Sequence, residues 1–105
     1  MTTPQDETWT DSNDAHSLLD AIVTIDDRTT AARFFRDLCT RRELGEMVLR
    51  WAVVRGLAEG ASYRAIHDAT GVSTATITRI NDWFRNGTGG YSEALDRLGI
   101  DQVER

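Results

Sequence analysis

The stretch Ser62-Tyr-Arg-Ala-Ile-His-Asp-Ala-Thr-Gly71-Val-Ser-Thr-Ala-Thr-Ile-Thr-Arg-Ile80 decides the fold. It reads as two short helices joined by a tight turn. Ser62 is placed to cap the first helix, Tyr63 to Thr70, by accepting an orphan backbone N–H. Gly71 stops that helix, because glycine enters the left-handed region without steric cost. Ser73 or Thr74 opens the second, which continues through Ile77, Ile80, Trp83 and Phe84 to about Asn86, where Gly87 ends it. Ile66, Val72, Ile77 and Ile80 supply the apolar crossing, and Thr74, Ala75, Thr76, Thr78 and Arg79 the polar outer face. In a helix-turn-helix of this kind the start of the second helix enters the major groove while the first crosses the phosphate backbone.

The outer face has the chemistry for that task. Small and hydroxyl side chains let a helix lie close to base edges, their methyls meet thymine, and their hydroxyls bond bases or phosphates. Arg79 has the reach and the fork for guanine O6 and N7 or for a phosphate. No acid interrupts the run from Thr74 to Arg79.

Working outward, the periodicity predicts helices on both sides and no strand alternation or internal repeat. A first helix spans about Asp14 to Ile25 with Leu18, Leu19, Ile22 and Val23 on one face, and a second, capped by Asp26 or Asp27, carries Ala31, Phe34, Phe35 and Leu38. Thr40-Arg-Arg-Glu43 has the capping-box pattern and opens a third, to about Ala58. Ten of the fifteen residues from Leu44 to Ala58 are apolar. A helix apolar nearly all round must be buried nearly all round, which places it at the centre of a dimer. After Gly87, Ser92 is placed to cap a last short helix carrying Ala94, Leu95 and Leu98, which Gly99 ends. The expected fold is all-α, about six helices: residues 1–12 a flexible acidic tail, 13–100 the helix-turn-helix domain, and 101–105 a polar end.

Charge placement matters more than the net −5. Residues 1–27 hold seven acids and no base, whereas the chain from Arg28 onward has a surplus of two bases, all twelve of its cations being arginine. An acidic leader in front of a mildly basic body is compatible with a nucleic-acid partner. No apolar run approaches the roughly 20 residues that span a bilayer. The opening residues lack the basic and apolar regions of a signal peptide. The single Cys39 has no internal disulfide partner, so a cytoplasmic setting is expected.

Other features read as structural. His16 and His67 lack metal-spaced neighbours. Cys39 lacks an activating base, and Gly87-Thr-Gly-Gly90 lacks the lysine and strand of a phosphate loop. Trp51, Trp83 and Phe84 fall at helical spacing and are expected in the core. With no nucleophile–base pair, carboxylate dyad or metal set, the chain is not expected to be an enzyme or to carry a cofactor.

The sequence resembles the Trp repressor family, and within it the Trp-repressor-like YerC/YecD branch. The resemblance spans about residues 15–98. It rests on Asp37-Leu-Cys-Thr-Arg-Arg-Glu-Leu44, Ser62-Tyr-Arg-Ala-Ile66, Gly71-Val-Ser-Thr-Ala-Thr-Ile-Thr-Arg79 and Asn86-Gly-Thr-Gly-Gly-Tyr91. It implies an intertwined homodimer bound to double-stranded DNA through Tyr63, Arg64 and His67 on the first helix of the motif and Thr74, Ala75, Thr76, Thr78 and Arg79 on the second. Where the family has a cation, position 67 has histidine, which weakens a phosphate contact at neutral pH. The resemblance also implies an amino-acid corepressor held between two arginines, Arg79 and, across a one-residue gap, Arg50. Here a space-making glycine is replaced by Ile80 and a ligand-binding serine by Trp83, so these two side chains are expected to fill the corepressor space. The competing expectation is a dimeric helical module that docks a protein partner without reading DNA sequence.

Overall fold

The computed structural model describes residues 8–103, which fall into two compact units, one up to Gly45 and one from Glu46 onward. The first unit opens with a single 3-10 turn, Thr8–Thr10, followed by α1 (Asn13–Val23), α2 (Arg28–Leu38) and the start of α3 (Arg41–Ala58). The expected tail therefore contains a helical turn at Thr8–Thr10, and residues 1–7 lie outside the described residues.

Each helix begins where a side chain satisfies its first N–H groups. Ser12 Oγ accepts from the Ala15 N–H at 3.0 Å and starts α1. Asp27 Oδ1 accepts from the Thr30 N–H at 2.7 Å and starts α2, which settles the choice between Asp26 and Asp27. The capping box of α3 is complete: Thr40 N–H donates to Glu43 Oε1 at 2.8 Å, and Glu43 N–H to Thr40 Oγ1 at 3.1 Å. These bonds hold the Asp27 and Glu43 carboxyls below the usual carboxylate range, chiefly through the backbone N–H of Thr30 and of Thr40. Helix α1 stops two residues before the expected Ile25. The Thr24 N–H and hydroxyl both bond the Ala21 carbonyl and the Ile25 N–H bonds Ile22, so the last turn tightens into 3-10 geometry.

In the second unit the rest of α3 packs with α4 (Tyr63–Thr70), α5 (Thr74–Asn86) and α6 (Gly90–Arg97). Its core is Val53, Val54, Leu57 and Ala58 from α3, Ile66 from α4, Ile77, Ile80 and Phe84 from α5, and Leu95 from α6. Gly56 lets α3 and α4 approach: a Cβ there would meet Ile66 Cγ1 at 2.9 Å. Tyr91 packs edge-on against Phe84 and tilted against Trp51, closing the core beside α6. Two aromatic expectations are therefore met and one corrected. Phe84 is buried and Trp51 half-buried, but Trp83 is 38% exposed because it lies away from the Ile77–Ile80–Phe84 face of α5.

The start of α6 also differs from expectation. Gly89 precedes it in the left-handed region, with φ 89°, so the helix begins at Gly90 and Ser92 sits inside it rather than capping it. Beyond α6, Ile100 N–H bonds the Leu95 carbonyl, and Val103 N–H bonds Ala58 at 2.7 Å, satisfying a carbonyl at the end of α3. No helix among the described residues is long and apolar enough to cross a membrane.

Candidate DNA interface

The turn between α4 and α5 is held by its own side chains. Gly71 adopts φ 75°, ψ 0° and donates its N–H to the His67 carbonyl at 2.8 Å. Thr70 Oγ1 donates to the Ile66 carbonyl at 2.7 Å and accepts from the Val72 N–H at 3.1 Å, buckling the turn from inside. His67 Nδ1 lies 2.8 Å from the Val72 carbonyl oxygen and ties α4 to the far side of the turn. Ser62 caps α4 through the Ala65 N–H, and Ser73 caps α5 through the Thr76 N–H. Thr70 was not nominated from sequence, although a hydroxyl immediately before a C-cap glycine is within reach of the last helical carbonyls.

The nominated residues separate into exposed and inward groups. Arg64, His67, Thr74, Ala75, Thr78 and Arg79 are exposed, while Tyr63 and Thr76 are half-buried. Tyr63 packs against the core at the start of α4. Thr78 Oγ1 donates to the Thr74 carbonyl at 2.9 Å, so its hydroxyl proton is already engaged while its lone pairs remain. Thr76 departs from the expected outer face. Its hydroxyl oxygen accepts from Ser73 Oγ at 3.0 Å and from Arg79 Nη2 at 3.2 Å, which makes it the support of the Arg79 guanidinium.

Thr76 turns inward because it lies four residues from both Val72 and Ile80. All three line a recess of about 240 Å³ with Glu46, Leu49 and Arg50. Ile80, 1% exposed, is part of its wall and does not fill it. Trp83 is not among the lining residues. Its ring centroid stands 6.0 Å from the Arg50 guanidinium, at the outer limit of a cation–π contact. The expectation that Ile80 and Trp83 fill the space beside Arg50 is thus replaced by one wall residue and one ring beside the arginine.

A buried crossing, a left-handed glycine turn and two capped helices define an all-α helix-turn-helix protein. Residues 13–99 match the family model described as Trp repressor protein, and the chain belongs to that family. It is 39% identical to the uncharacterized protein YerC of Bacillus subtilis over 87 residues, 83% of this chain and 84% of that one. Among solved structures, a TrpR-like protein from Eubacterium eligens superposes with a TM-score of 0.85 at 33% identity, covering 92% of this chain and 100% of the other. A Staphylococcus aureus protein does so with a TM-score of 0.84 at 32% identity, over 94% and 100%. Trp repressor-like proteins are DNA-binding regulators of transcription rather than enzymes, and that is the class in which this chain stands.

Proposed function

We propose that this protein is a cytoplasmic homodimeric repressor that reads a pseudo-palindromic DNA site through its helix-turn-helix. The observation that carries the reading is the acid-free exposed run on the first turns of α5, with Thr74, Ala75, Thr78 and Arg79 outward and Arg79 supported by Thr76. Arg64 and His67 on α4 serve as phosphate contacts that set the register, and Arg79 reads a base edge. Tyr63 contributes its hydroxyl from the start of α4, and Thr76 acts chiefly through Arg79.

Dimerisation is supported by what a single chain leaves uncovered. No described residue before Val53 is buried, and Val23 is 78%, Val48 67% and Leu38 51% exposed. Helices with apolar faces and no core of their own need a partner surface, and a second copy of the same chain provides one.

Free tryptophan is not the effector on this reading, which rests on the sequence departures at Ile80 and Trp83 and not on a filled pocket, since neither side chain fills the recess beside Arg50. Saturable micromolar binding of tryptophan in calorimetry would contradict that. DNA reading itself is tested by anisotropy titration of the purified protein against duplexes enriched from a random pool. Tight, salt-sensitive and sequence-dependent binding is the expected result. A dimer that enriches no duplex would instead be the protein-docking module.

A further inference from the structure

Resting on the DNA reading above, we infer that His67 is a proton-gated phosphate contact, so that the protein holds DNA more tightly as the pH falls. The observation behind it is the 2.8 Å bond between His67 Nδ1 and the Val72 carbonyl oxygen. A carbonyl only accepts, so Nδ1 carries the hydrogen, and in the neutral ring Nε2 is left as a bare acceptor. His67 is exposed, on the helix that crosses the phosphates in this motif.

A neutral Nε2 meets a phosphate oxygen lone pair to lone pair and attracts nothing. When Nε2 takes a proton from solvent, the ring keeps its bond to the turn and gains a charged N–H donor on its free edge. The Val72 bond thus positions the same ring in both states, and protonation changes only what that edge offers.

The surrounding charges are compatible with this. On α4, Arg64 and Asp68 flank His67 with opposite signs. On α5, which packs against α4, Arg79 is held by Thr76, Asp82 accepts from Asn86 and Arg85 donates to Asn81. On α3, Arg55 pairs with Glu59 at 3.5 Å, and Glu46 and Arg50 line the recess.

The test uses the full chain and a duplex enriched from a random-sequence pool. Between pH about 8 and about 5.5, a window that brackets histidine titration, affinity is expected to rise about tenfold per half-site. The slope of log affinity against log salt is expected to steepen by about 0.9 per half-site. His67→Asn keeps an amide donor near the place of Nδ1 and has nothing to titrate, so the rise in affinity between the two pH values should be lost, whatever the variant's absolute affinity. Nitrogen NMR of the wild-type protein adds a readout that needs no variant. It should show the Nδ1–H tautomer at His67 in the free protein at high pH, and N–H groups at both ring nitrogens of His67 in the DNA complex at low pH. Equal pH responses in wild type and H67N, or a His67 ring whose Nε2 carries no proton in the low-pH complex, would overturn the inference and leave the DNA reading standing. A pool that yields no enriched duplex at either pH would overturn both.

Discussion

At the residue scale, two positions were open to inspection in the sequence and one was not. Gly71 and Arg79 are legible because each answers a need that the chain order states: a left-handed stop between two helices, and a long cation past the turn. The φ of 75° at Gly71 means that Gly71→Ala should destabilise the protein by about 1 kcal/mol in denaturant unfolding, although the space beside the residue is open. Arg79→Ala should cost about 1–3 kcal/mol of discrimination at one base pair. A uniform loss over all duplexes would make Arg79 a phosphate contact instead. Thr76 was hidden by its company, since a threonine in a run of threonines reads as outer face. Its four-residue spacing from Val72 and Ile80 was the available signal, and it places the side chain on the inner face. Thr76→Val should therefore loosen Arg79 and relax the same base preference, with little change in salt dependence.

At the element scale, helix starts were legible wherever a polar cap precedes an apolar period, as at Asp27, Thr40 with Glu43, and Ser62. They failed at α6, where the start is set by backbone, with Gly89 in the left-handed region and no side-chain cap. Ser73→Ala removes the cap of α5 and should cost about 1 kcal/mol in unfolding while loosening the start of the recognition helix. The Asp27 and Glu43 carboxyls have folded-state values below their unfolded ones, so the stability they add is present above the unfolded range and is lost as pH falls through the folded values. The protection of amides at the starts of α2 and α3, relative to their intrinsic exchange rates, should accordingly fall below about pH 4. Glu43→Gln should remove the acid step from α3 alone, and an unchanged step there would assign it elsewhere.

At the scale of the whole molecule, the all-α class was legible from periodicity and the helix-turn-helix from the Gly71 turn with the run that follows it. The placing of seven acids and no base in residues 1–27 removed the net charge as an objection to nucleic acid. What periodicity did not reveal is how one-sided the burial is. The apolar residues of α3 divide, with Val53, Val54, Leu57 and Ala58 in the core and Met47, Val48 and Leu49 left exposed. That division is the strongest physical argument for a second copy. Sedimentation should give two chains per particle, and Val48→Glu should shift it to one and weaken DNA binding. A wild-type protein sedimenting as a single chain would remove the homodimer. The most direct measurement of the DNA reading is selection from a random duplex pool with the purified protein. Enrichment of a two-fold-symmetric sequence with half-sites about one helical turn apart is the predicted result, and a pool that emerges with no enriched sequence would contradict it.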